Sequence, residues 1–169
     1  MVSFFLWLTR LCGLLLALWC LLPAMALAAP DPYIRNYLKV TEPISLPLDH
    51  QGNTRLFSAT DLETGKQLFE RNCLNCHVAG GTLSNPSVSL SLADLQGAKP
   101  PRDTINALVA YVRQPMEYDG SEENLWCRQV PESWLAQAEV ENLAGFVLRA
   151  AQEAPGWGVK RFTSAPIAE

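Results

Sequence analysis

The sequence predicts a single all-α domain with a small β-hairpin at its N-terminal side. The apolar residues of three later segments recur at helical spacing. One short stretch alternates instead: Ile44, Leu46 and Leu48 precede Asp49-His50-Gln51-Gly52, and Thr54 to Phe57 resumes, which reads as two strands and a tight turn. The composition, 49% hydrophobic and 18% charged over 169 residues, suits one globular core and excludes a disordered chain.

Before that domain comes a segment with another purpose. Met1 to Arg10 carries a single positive charge, Leu11 to Leu22 is nearly all apolar, and Pro23 to Ala29 ends in small residues, with Ala26 and Ala28 at cleavage-site spacing. Residues 1–29 are therefore expected to be a secretory signal peptide cut near Ala28 or Ala29. The apolar run of 12 residues, closed by Pro23, is short against the ~20 needed to span a bilayer. Cys12 and Cys20 would leave with it. The exported chain would carry 12 basic and 17 acidic residues, a net charge of −5. Such a surface argues against nucleic acid and suits docking onto a basic patch of a protein partner.

Residues 30–169 form the expected domain: an irregular arm at 30–41, the hairpin at 43–58, a helical core at 60–152 and a tail at 153–169. Two strands alone are marginal, so the hairpin must lean on the helices. The first helix opens at Thr60, where Glu63 gives capping-box spacing, and Leu62, Leu68 and Phe69 form its apolar stripe. Gly65 costs ~1 kcal/mol mid-helix relative to Ala, which implies a packing reason. Val78 to Pro101 reads as a long loop, with Leu90, Leu92 and Leu95 wrapping something bulky. Arg102 to Arg113 is the second helix, capped by Asp103, with Ile105, Leu108, Val109 and Val112 on one face and Pro115 as its stop. Gln114 to Gly120 is a turn, and Ser121 to Gln129 could form a short helix capped by Ser121. The last helix covers roughly Ser133 to Gln152, with Leu135, Leu143, Phe146, Val147 and Ala150 apolar. Gly145 beside Phe146 repeats the arrangement of Gly65 and Phe69, so the first and last helices are expected to cross closely.

The chemistry is concentrated in Cys73-Leu74-Asn75-Cys76-His77. Cys-x-x-Cys-His is the attachment signature of c-type haem: two thiols at a helix end add to the two haem vinyl groups, and the following imidazole lies under the iron. A zinc site needs four ligands, and no second closely spaced pair exists. A thioredoxin-like dithiol would need a βαβ setting, which is absent. One haem c per chain is thus expected, with Cys73 and Cys76 as thioethers and His77 as proximal iron ligand. Export agrees with this, because the attachment is made outside the cytoplasm. A distal ligand would tune the potential. Met116, Cys127 and His50 are the candidates. His50 falls at the hairpin turn, Met116 lies beside Pro115 and could simply fill a gap, and Cys127 could be an inert buried thiol.

A resemblance bears on this choice. Residues from about Val40 to Phe162 resemble the cytochrome c-550 family of cyanobacterial photosystem II, in particular its divergent c-550-like branch. The likeness runs through Gly65-Lys66-Gln67-Leu68-Phe69, Cys73 to Val78 with Gly80-Gly81, and Asn85-Pro86-Ser87. It continues in Pro100-Pro101-Arg102-Asp103, in Gln114-Pro115 with Tyr118-Asp119-Gly120, and in Gly156-Trp157-Gly158. It implies a cytochrome c fold with an added hairpin, located in the thylakoid lumen. In that family both iron ligands are histidines, the second after Tyr-Asp-Gly. Here no histidine stands there, and Cys127 occupies that position within one residue. The resemblance therefore favours Cys127 as distal ligand, with Met116 as runner-up. The implied role is a low-potential one-electron carrier, not an enzyme, whose partners are a lumenal redox protein or photosystem II core proteins. Two alternatives stay open: a structural extrinsic subunit whose haem mainly stabilises the fold, and a haem sensor or peroxidase-like protein whose weakly held ligand leaves the iron open.

Overall fold

The computed structural model describes residues 31–83 and 88–158. The leader, Asn85-Pro86-Ser87, and Val159 and Phe162 of the tail lie outside the described residues. Among those described, no helix is long and apolar enough to cross a membrane.

The arm is not irregular throughout, since Pro32–Asn36 forms a short helix, α1. Asp31 caps it by accepting the N–H groups of Tyr33 and Ile34, and Pro32 occupies the first helical position. The Asp-Pro pair is the local signal for this helix: proline at that position loses no hydrogen bond and presets the backbone. Ile34, Leu38 and Val40 are fully buried, so this segment belongs to the core. Lys66 ties it down, lying 3.1 Å from Asp31 and 3.0 Å from Glu70.

The hairpin forms as expected. Strands β1 (Ile44–Pro47) and β2 (Thr54–Phe57) pair antiparallel, with Ile44 opposite Phe57 and Leu46 opposite Arg55. Asp49 organises the turn by accepting the N–H groups of Gln51 and Asn53.

Helix α2 spans Ala59–Asn72. Its cap is Ser58 with Asp61, not Thr60 with Glu63: Ser58 Oγ accepts the Asp61 N–H and Asp61 accepts the Ser58 N–H. The helix starts earlier than expected because Phe57 must end β2 in the core, fully buried. Leu62, Leu68 and Phe69 are buried as the stripe requires.

Among its described residues, the segment expected to be a long loop holds two short elements, a 3₁₀ turn at Val78–Gly80 and helix α3 at Leu92–Gly97, capped by Ser91. Helix α4 runs Ile105–Arg113 and is capped by Thr104. Asp103 does not cap it; its carboxylate lies 2.9 Å from His50 Nε2 and ties the hairpin turn to the start of α4. Ser121 to Gln129 is not helical. An isolated bridge joins Met116 to Glu123, and side-chain turns organise the remainder. Helix α5 is Gln137–Glu153, which begins later than Ser133 because Pro131 to Leu135 form a separate turn.

Helices α2 and α5 cross, as the glycines suggested, and the cause lies at Gly65. A Cβ there would strike the backbone carbonyl of Asn142, with its carbon at 2.6 Å and Phe146 Cβ at 2.9 Å. Gly145 does something different. A Cβ there would meet the Phe57 ring at 2.7 Å, so this glycine seats the hairpin rather than the crossing. Beside the crossing Phe69, Phe146 and Trp157 form an aromatic cluster with ring centroids 5.4 to 5.8 Å apart. Trp157 also donates from Nε1 to Leu90 O at 2.9 Å, which fastens the start of the tail to that residue.

Candidate functional site

The cysteine motif begins where α2 ends. Cys73 is the C-cap and its N–H donates to Phe69 O at 2.8 Å. The N–H groups of Cys76 and His77 then both donate to Cys73 O, at 3.1 and 2.9 Å. One hydrogen-bonded bend therefore carries both thiols and the imidazole, which is the arrangement the three-residue spacing requires. Cys73, Cys76 and Cys127 form no disulfide.

Burial pushes the pKa of His77 down, against a hydrogen bond to the Gly81 backbone. His77 Nδ1 lies 3.2 Å from Thr82 Oγ1, and the Thr82 hydroxyl donates its hydrogen to the Val88 carbonyl. Toward His77 that hydroxyl can only accept. Nδ1 therefore carries the ring hydrogen and Nε2 keeps its lone pair, the tautomer a metal ligand needs.

Cys127 lines the same cavity as Cys76 and His77. This cleft, about 800 Å³ including its solvent-open side, is walled by Val88, Leu90, Leu95, Ala98 and Leu108. Local turn chemistry positions Cys127. Asn124 Oδ1 accepts the N–H groups of Trp126 and Cys127 at 2.8 and 3.0 Å, while the Asn124 N–H donates to Pro115 O at 2.9 Å. Arg113 holds the chain beyond Cys127, donating to the carbonyls of Val130 and Leu135 at 2.8 and 2.9 Å. Burial raises the Cys127 thiol, while a hydrogen bond from Tyr111 and the charge of Arg102 oppose the rise. Cys73, more deeply placed, is pushed up to about 12 by burial, with the neighbouring Cys127 and Cys76 adding to it.

The other two candidates are elsewhere. Met116 is not among the residues lining the cavity. It is held by its backbone, which pairs with Glu123 and accepts from Arg102 Nη2 at 2.9 Å. The His50 side chain is about half exposed at the hairpin turn and engaged with Asp103. Only Cys127 of the three shares a cavity with His77 among the described residues. Thr82, Tyr111 and Asn124 also belong to this site, although no motif in the chain marks them. Asn124 alone carries a local signal, since asparagine readily caps the backbone two residues on. The residues present fit a covalently held haem: two free thiols on one bend, an imidazole in the ligand tautomer, and a mostly apolar wall.

Helices crossing at a glycine, a Cys-x-x-Cys-His bend closing one of them, and a cleft beside that bend define a fold of the cytochrome c class. The family described as the cytochrome c-550 domain matches residues 38–164. A cytochrome c-550-like protein of Thermosynechococcus vestitus is 58% identical over 162 residues, covering 92% of this chain and 93% of its own length. A photosystem II extrinsic protein V of Gloeobacter violaceus is 53% identical, covering 80% of this chain and 73% of its own length. Among solved structures, the PsbV2 cytochrome of Thermosynechococcus elongatus is 59% identical with a TM-score of 0.76, covering 78% of this chain and all of that one. A cytochrome c549 is 32% identical with a TM-score of 0.59, covering 64% of this chain and 90% of that one. The chain belongs to the cytochrome c-550 family. It is accordingly an electron-transfer cytochrome and not an enzyme.

Proposed function

We propose that the chain is a monohaem cytochrome of the thylakoid lumen, a low-potential one-electron carrier linked to photosystem II. Cys73 and Cys76 hold the haem as thioethers, His77 Nε2 is the proximal iron ligand and Cys127 Sγ the distal one. When bound, the haem iron supplies reversible one-electron chemistry. The protein's residues do the rest: Thr82 fixes the His77 tautomer, Asn124 and Arg113 hold the segment bearing Cys127, and the apolar wall limits water at the cleft. The observation that carries this reading is the convergence of His77 and Cys127 on one cavity from which Met116 is absent. A thiolate donates strongly to iron and favours the ferric state, so the potential is lower than a histidine/methionine pair would give.

Low-temperature electron paramagnetic resonance of the ferric protein is the test. The native chain gives a thiolate-ligated low-spin signal and Cys127→Ser loses it. A native spectrum of bis-imidazole or imidazole-thioether type, or an unchanged spectrum in the variant, overturns the ligand assignment. The link to photosystem II draws on relatives that bear its name as extrinsic proteins. That same naming favours a second reading, a structural extrinsic subunit whose haem mainly supplies core volume. Rapid reduction by a lumenal donor in stopped flow supports the carrier. Retention on photosystem II membranes through moderate salt, without such turnover, supports the subunit.

A further inference from the structure

The wall behind Cys127 holds a group that the ligand set leaves unused. Tyr111, on α4, lines the cavity together with Cys127 and Arg102, and its hydroxyl is close enough to the Cys127 sulfur to influence its titration as a hydrogen-bond donor. The Arg102 guanidinium stacks over the Tyr111 ring, its carbon 4.0 Å from the ring centroid. Arg102 is in turn anchored by donating from Nη2 to Met116 O at 2.9 Å and Glu117 O at 2.6 Å. A fixed cation on the face of a phenol draws electron density from the ring and makes its O–H a stronger donor. The chain thus places a phenol backed by a fixed cation beside the atom proposed to face the iron.

We infer that Tyr111, backed by Arg102, is a positioning residue that hydrogen-bonds the Cys127 thiolate, withdraws charge from it and so raises the potential above that of a bare thiolate ligand. The inference rests on the proposed ligation by Cys127. Hydrogen bonds around a metal-bound sulfur are a principal means by which a protein sets redox potential. The ferric iron draws harder on the sulfur's electrons than the ferrous iron does, which leaves the ferrous complex with the more negative sulfur. A donor to that sulfur therefore stabilises the reduced form more. A purely structural tyrosine would fill the wall equally well as phenylalanine and leave the iron indifferent to the change.

The test is Tyr111→Phe in the full haem-loaded chain, because the ring and its stacking on Arg102 are kept. Equilibrium redox titration against mediators is expected to give a midpoint more negative by about 59 mV, a tenfold shift in the one-electron equilibrium. Resonance Raman of the ferric protein supplies a second readout. The iron–sulfur stretch moves to higher frequency in the variant, and the shift it shows on transfer to deuterated water shrinks. Arg102→Lys keeps a cation but loses the planar stack, and is expected to move the midpoint part of the way in the same direction. An unchanged midpoint and an unchanged iron–sulfur stretch in Tyr111→Phe overturn the inference. The paramagnetic resonance of the native chain is recorded first. A thiolate signal there, followed by an indifferent Tyr111→Phe, rejects the role of Tyr111 and leaves the ligation standing. Absence of the thiolate signal rejects both. If Tyr111→Phe yields no folded protein, the deuterium shift of the native stretch decides alone: its absence refutes the donor.

Discussion

Replacing Gly65 by alanine opposes two effects of known sign. In a helix interior alanine is favoured over glycine by ~1 kcal/mol, so propensity alone makes Gly65→Ala stabilising. The crossing says otherwise. The added methyl would lie 2.6 Å from the Asn142 carbonyl carbon and 2.9 Å from Phe146 Cβ, closer still to the Asn142 oxygen. Ordinary contact is ~3.5–4.0 Å between carbons, so α2 and α5 must separate by about 1 Å. The obstacle is backbone, which no rotamer change relieves, and overpacking of this kind typically costs ~1–3 kcal/mol. Separation also loosens Phe69, Phe146 and Val147, all nearly fully buried around the crossing. Because the obstacle is backbone, the upper end of that range applies, and about 3 kcal/mol less the propensity gain of about 1 leaves a net loss of about 2 kcal/mol. For a domain of this size that is roughly 6–10 °C in Tm. Guanidinium unfolding of the haem-loaded protein followed by far-ultraviolet circular dichroism measures it, with Gln67→Gly, at an exposed position of the same helix, to calibrate propensity. A Gly65→Ala protein as stable as the native chain, or more so, would refute the close crossing.

Met116→Leu is expected to leave the ferric spectrum and the potential unchanged within error, since only the backbone of Met116 is engaged; a lost low-spin signal would return Met116 to the coordination sphere. At Asp31 burial raises the carboxyl pKa, but the hydrogen bond from Lys66 and those from the Tyr33 and Ile34 amides outweigh it, so the folded value lies below the ordinary one. Such a group contributes stability above its unfolded pKa and loses it as pH falls through the folded value. Thermal melts should therefore show the native chain ahead of Asp31→Asn by roughly 0.5–1 kcal/mol at pH 6, with the difference gone near pH 2; a difference that grows on acidification contradicts the ion pair. Trp157→Phe removes the hydrogen bond to Leu90 O and should cost about 1 kcal/mol in chemical denaturation, whereas equal stability would show that this contact does not hold the segment.

Much of this architecture is written in short stretches of chain. The hairpin, the buried stripe of α2 and the cysteine bend each depend on neighbours within a few residues, and each is where the residues indicate. Helix starts are less legible. Thr60-x-x-Glu63 and Ser58-x-x-Asp61 are equally good caps on paper, and the choice falls to Ser58 because Phe57 has to be buried at the end of β2. Asp103 is diverted from capping by a histidine 53 positions away. Gly145 shows the same limit: its need for a close neighbour is legible, but Phe57 as that neighbour is not. Within the site, Cys73, Cys76 and His77 announce themselves. Tyr111 and Thr82 carry no motif, since their place in the site comes from how α4 and the segment after the bend are laid against the cleft.

The two sides of the cleft are built in different ways, and this bears on how such a site can change. His77 is placed by a bend within α2's own C-terminus, so its position follows from the attachment motif and from Phe69 beneath it, 6.5 Å away ring to ring. Cys127 is placed by a segment with no regular structure, held at Pro115, Val112 and Arg113 through backbone hydrogen bonds and one arginine fork. Those contacts use Asn124, Val130 and Leu135, and none of them uses the Cys127 side chain. Substituting that one residue therefore leaves the scaffold of the distal segment in place while exchanging the atom it presents to the cleft. On this argument a histidine within a residue of that position, the filling that the family resemblance implies, and a cysteine here are alternative fillings of one frame. On the proposed ligation the potential would then be set by the filling and by the proposed Tyr111 donor beside it, while the fold stays the same.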